Sequence, residues 1–77
     1  MSRDIELQDA IALDTVEALS EGLEGDRAVL TCSLGARRFA VPRYFVLPGS
    51  QVRKPGDHGQ LIVPRWFASG LGLVRER

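Results

Sequence analysis

The hexad Val63-Pro64-Arg65-Trp66-Phe67-Ala68 repeats an upstream hexad, Val41-Pro42-Arg43-Tyr44-Phe45-Val46, with four identical positions and a Tyr for Trp exchange. Each copy places a proline after an apolar run. Proline has no N–H to give a strand ladder, so it ends a strand, while its fixed φ suits the first position of a helical turn. The chain is thereby constrained to make the same manoeuvre twice: a strand, then a proline, then a helical turn. The two hexads also hold four of the five aromatic side chains. Both the anchors of a small core and any exposed recognition groups must come largely from them.

The segments between the hexads follow from period and turn chemistry. Residues 8–23 carry Ala12, Val16, Leu19 and Leu23 at spacings that line up one helical stripe, with Asp9 as a cap and Gly22 or Gly25 as a terminator. Asp14, Glu17 and Glu21 would lie off that stripe and make the helix acidic. A competing reading takes Asp14 to Ser20 as a strand with Val16 and Ala18 apolar; shortness and alanine content favour helix. Glu24-Gly25-Asp26 is a turn signal. Ala28 to Ser33 and Arg37 to Val41, joined by Leu34-Gly35-Ala36, read as an antiparallel hairpin with Phe39 and Val41 facing the core and Arg38 facing solvent.

Pro42 to Phe45 then forms a short 3₁₀ or α turn, stopped by Leu47-Pro48-Gly49-Ser50. Gln51 to Gly59 is polar and turn-rich and reads as a mobile, solvent-exposed loop. Gln60 to Val63 is the last strand, and Arg65 onward starts a short helix that Gly70 or Gly72 ends, with Leu71, Leu73 and Val74 returning to the core. The expected fold class is α+β: one small domain over residues 1–77, with an N-terminal acidic helix, a three-stranded antiparallel sheet and a short C-terminal helix.

At 77 residues a chain buries only about 60% of the surface its unfolded form exposes, which argues against a deep enzyme cleft. No apolar run reaches the roughly 18 residues of a membrane span, and the first residues lack the basic and apolar regions of an export signal, so a cytoplasmic protein is expected. The single cysteine, Cys32, excludes an internal disulfide and reads as a small core residue. The net charge of zero conceals a split: residues 1–26 hold eight acids against Arg3 alone, and residues 27–77 hold nine bases against Asp57 and Glu76. That asymmetry points either to an acidic or polyanion-binding face or to two halves that neutralise one another across the fold.

The catalytic inventory is poor. His58 is the single histidine; Ser50, Asp57 and His58 form a triad only on paper, because a Gly-Pro loop does not hold side chains to the required precision. No phosphate loop and no His or Cys ligand spacing is present, so no enzyme activity, cofactor or metal is expected. In the hexads, Arg43, Tyr44, Arg65 and Trp66 could stack on unpaired bases or anchor a protein partner. The structural alternative packs Phe45 and Phe67 inward and buries the Tyr44 and Trp66 rings at the core edge beneath the arginines. A five-aromatic chain favours that alternative.

The pattern from Arg27-Ala28-Val29-Leu30 through Val41-Pro42-Arg43 and Ser50, then Gly56-Asp57 and Ile62 to Ala68, ending at Gly72-Leu73-Val74, resembles small phage and prophage proteins of unassigned role. The resemblance covers roughly the last 50 residues. It implies a compact β-rich domain in which a strand leads into a proline, any, Trp, any, Ala helix. Size and charge asymmetry are similar to those of anti-CRISPR inhibitors, which implies a non-catalytic inhibitor that occupies a surface of a host protein complex, a CRISPR effector among the candidates. Asp14, Glu17 and Glu21 would cover a basic channel. Alternatively, a basic face of Arg37, Arg38, Arg43, Arg53, Lys54 and Arg65 would bind nucleic acid directly. A homodimer joined through the Trp66 region is a third expectation.

Overall fold

The computed structural model describes residues 9–74, which form a four-stranded antiparallel sheet, one 3₁₀ turn and one short helix. The strands are β1 (Ala10–Glu24), β2 (Arg27–Leu34), β3 (Arg37–Pro42) and β4 (His58–Pro64), in spatial order β3-β2-β1-β4. The 3₁₀ turn is Arg43–Phe45 and the helix, α1, is Arg65–Gly70. Gln8, at the start of the expected first helix, and the basic tail Arg75-Glu76-Arg77 lie outside the described residues.

The expected acidic helix is a strand, and the sheet has four strands where three were expected. Of the four residues in the supposed helical stripe, only Val16 is buried; Ala12, Leu19 and Leu23 are exposed. The misleading period has a geometric source. β1 pairs with β4 through Ala10 to Glu17 and with β2 through Val16 to Glu24, with a register shift between Leu13 and Val16 on one side and between Ala18 and Ser20 on the other. Each bulge adds a residue, so core-side positions fall at Ile11, Leu13, Val16 and Ala18 and no longer alternate strictly. Thr15 sits in the first bulge at φ 58, the left-handed region that β-branched residues avoid.

Both hairpins close as the turn chemistry requires. Glu24 pairs with Arg27 and Leu34 with Arg37, so each loop has two residues, and in each the first is a glycine at positive φ, Gly25 at 66° and Gly35 at 64°. One face of the sheet carries the core, in which Val16, Leu30, Cys32, Val41, Leu61 and Val63 are wholly inaccessible. Burying each aliphatic side chain contributes about 1.5–3 kcal/mol. Phe39 and Val41 face this core and Arg38 faces solvent, while Leu71, Leu73 and Val74 pack back against it.

The repeated hexads end the two edge strands. Pro42 and Pro64 adopt nearly the same conformation, φ −57° and ψ 138° against φ −60° and ψ 140°. The first copy stops after a single 3₁₀ turn, Val46 being extended at φ −81° and ψ 100°, and Pro48 keeps the following Leu47 out of helical conformation as well. The second copy meets no proline and continues to Gly70. The segment expected to be a mobile loop is tied down: Val52 is fully buried, Gly56 N donates to Ala18 O at 3.0 Å, and Ala18 N donates to Asp57 O at 2.9 Å.

Candidate functional site

The convergence of the two hexads produces one aromatic cluster. Phe45 is its hub, with ring centroids 4.6 Å from Tyr44, 5.2 Å from Trp66 and 5.0 Å from Phe67, all in tilted edge contacts. Such contacts follow the ring quadrupole, in which a positive edge meets a negative face. Phe45 and Phe67 pack against the core, but Tyr44 and Trp66 are 60% and 59% exposed. The expectation that all four close the core therefore fails for these two. The helical turns point them off the side of the cluster, and the twelve buried apolar residues among those described, only one of them aromatic, already fill the interior.

Arginines frame the exposed rings. Arg27 Nη1 donates to the Tyr44 hydroxyl at 2.7 Å, and its guanidinium lies 5.5 Å from the Tyr44 centroid. Arg43 pairs with Glu21 and extends towards Arg53 O at 3.5 Å. Arg65 is exposed beside Trp66. Tyr44 and Trp66 together thus form an amphipathic surface with a charged border.

The other residues singled out from the sequence are dispersed. Asp14 is exposed and accepts from Gln60 Nε2 at 3.1 Å. Glu17, also exposed, lies between Ser33 and His58 in the sheet register. Glu21 is committed to Arg43, so the acidic and basic halves meet there instead of forming two separate faces. The Arg37 guanidinium donates to Leu71 O at 2.6 Å and Gly72 O at 3.1 Å, capping the end of α1. Arg38 is exposed with no side-chain partner among the described residues. With no helix under Asp14, Glu17 and Glu21, a covering acidic helix face is ruled out.

Two contributors to the surface, Arg27 and Tyr44, carry little signal in the sequence. Arg27 reads only as a charge after a turn; nothing local signals that it reaches Tyr44. Tyr44 is signalled only by the repeat, since it occupies the position of Trp66.

The paper triad does not assemble. Ser50 Oγ is engaged with the Ile62 main chain, and the Asp57 carboxylate accepts from Arg53 N at 3.0 Å and Lys54 N at 3.1 Å and pairs with Lys54 Nζ at 3.2 Å. The Arg53 amide, followed by the Lys54 side chain and amide, outweighs desolvation and holds the Asp57 carboxyl below its ordinary range. Burial pushes the Cys32 thiol up to about 11. Among the described residues no group of three His, Cys, Asp or Glu comes together to hold a metal ion, and no helix is long and apolar enough to cross a membrane. No family model matches the chain, nor does any curated protein or solved structure.

Proposed function

We propose that this chain is a non-catalytic binding protein that works by occupying the surface of a larger cytoplasmic assembly, as a phage-type inhibitor of a host defence complex. The observation that supports the binding role is the exposure of Tyr44 and Trp66 on one aromatic cluster bordered by Arg27, Arg43 and Arg65. Trp, Tyr and Arg are the residue types that carry most of the energy at protein interfaces, where their rings fill pockets and exclude water. A folded protein that leaves two large rings outside, while pinning one of them with an arginine, keeps a rigid anchor at little entropic cost. The role in host defence is supported by the resemblance in size and pattern described above.

A protein partner is favoured over nucleic acid by the local charge. Glu21 neutralises Arg43, and Glu24 and Asp26 flank Arg27 in the hairpin turn, so the border is mixed in sign. A polyanion would meet those acids.

The test is inhibition of purified CRISPR effector complexes in a target-cleavage assay. The intact chain should inhibit at near-stoichiometric amounts, and Tyr44→Ala and Trp66→Ala should each weaken inhibition by about 30-fold or more, the loss of a hot-spot residue. Absence of inhibition across the effector types removes the defence role. Undiminished inhibition by both variants removes this face. Binding of a labelled single strand that falls steeply with salt would move the assignment to nucleic acid, and a doubled mass lost in Trp66→Ala would move it to self-association.

A further inference from the structure

The two edge strands both end in a copy of the same repeat, but their outer edges are finished differently. On β4 the outward positions are His58, Gln60, Ile62 and Pro64, and the main-chain groups of Gln60 and Ile62 are each satisfied. Leu47 N donates to Ile62 O at 2.9 Å and Gln51 N to Gln60 O at 2.8 Å. Side chains complete the cover: Ser50 Oγ accepts from Ile62 N at 2.8 Å, and Gln51 Oε1 accepts from Gln60 N at 2.9 Å. Gly59, at φ 131°, makes room for that glutamine, since a Cβ there would collide with the Gln51 amide. Pro64, at the next outward position, has no N–H to satisfy.

β3 has the same phase and, among the described residues, no cover. Its two-residue loop makes Leu34 and Arg37 a hydrogen-bonded pair, so Phe39 and Val41 also bond to β2. The N–H and C=O groups of Arg38 and Ala40 then point outward, and Pro42 again takes the next outward position. Among the described residues no main-chain or side-chain group bonds to this edge. Natural sheets close or blunt their edges, as β4 does here, and an edge left open beside a closed twin is a ready template for an added strand.

We propose that the outer edge of β3, from Arg38 to Pro42, takes an extended acidic segment of a partner protein as a fifth strand. The charge selects the occupant. Arg37 is committed to the end of α1, whereas Arg38 is exposed and has no counter-ion among the described residues, so an acidic side chain on the added strand completes it. A second copy of this chain would instead bring a second Arg38 onto the same face of the joined sheet, and like charges in cross-strand proximity are destabilising. The edge ends two residues before Tyr44 but does not depend on the role of the Tyr44 and Trp66 cluster.

The experiment follows the amides of the full chain by NMR while a short blocked peptide of alternating glutamate and valine is added. Saturable slowing of hydrogen exchange at Arg38 and Ala40, with Gln60 and Ile62 unchanged, is expected. Arg38→Glu should weaken the peptide by about fivefold, in line with a cross-strand charge pair. Ala40→Pro, which removes an outward donor while leaving the β2 ladder intact, should abolish binding; a dispersed spectrum shows that each variant is folded. Equal binding of the lysine counterpart, or no saturable effect, overturns the proposal. Concentration-dependent protection of Arg38 and Ala40 without peptide overturns it in favour of a second copy. Because Tyr44→Ala and Trp66→Ala should leave peptide binding intact, failure here is distinguishable from failure of the inhibitor role.

Discussion

Arg27 and Tyr44, 17 residues apart in sequence, are joined twice: the guanidinium donates to the phenol oxygen at 2.7 Å and lies 5.5 Å from the ring centroid. The contact links the end of the β1–β2 hairpin to the 3₁₀ turn of the first hexad. It fixes the orientation of a ring that packing alone leaves mostly in solvent.

Because both partners are exposed, this link positions more than it stabilises. Arg27→Ala and Tyr44→Phe are each expected to change the unfolding free energy by less than about 1 kcal/mol, the net worth of a solvent-accessible hydrogen bond or cation–π contact. Urea denaturation of the two variants measures this. A much larger loss would make the pair a structural strut and weaken the case for Tyr44 as an anchor held ready for a partner.

Among the described residues Ser50 is the one buried polar side chain, 8% exposed, and its hydroxyl both accepts from Ile62 N and donates to Ile62 O. Ser50→Ala leaves that buried N–H without its acceptor, at an expected cost of about 1–3 kcal/mol. Urea unfolding curves of the variant measure this. An unchanged midpoint would show that the hydroxyl is not what satisfies Ile62.

The Cys32 thiol is wholly buried and ionises at about 11 instead of the usual 9.0. The folded chain therefore keeps a proton that the unfolded chain loses in this window. Stability from this group is fully present below 9.0 and falls as pH rises towards about 11. Unfolding free energies measured across that range should fall more steeply for the parent chain than for Cys32→Ala. Parallel slopes would show that the thiol is not shielded as the packing requires.

The hairpin from Ala28 to Val41, the strand ending at Val63 and the two proline-initiated turns were legible because each rests on local rules: glycine at a two-residue loop, alternation, and proline at a strand end. β1 was not legible. Its bulges at Leu13/Val16 and Ala18/Ser20 break strict alternation, and Ala12, Val16, Leu19 and Leu23 happen to match a helical stripe. In the candidate site, Arg43, Arg65 and Trp66 were visible in the repeat. The exposure of Tyr44 and Trp66, the reach of Arg27 and the cancellation of Glu21 by Arg43 were not, because each depends on segments brought together from distant parts of the chain.

What the amino-acid sequence determined by itself is the repeated manoeuvre of apolar strand, proline and helical turn, since proline geometry and glycine turns act over a few residues and need no partner. What only the tertiary structure decided is where the two copies end up. A single long strand, bent by bulges so that it pairs with β2 along one half and β4 along the other, sends the copies to opposite edges of one sheet. Their turns still meet over its core face, because the hydrophobic surface of a chain this short can be buried only once. From that arrangement follow one shared aromatic cluster, one closed edge and one open edge.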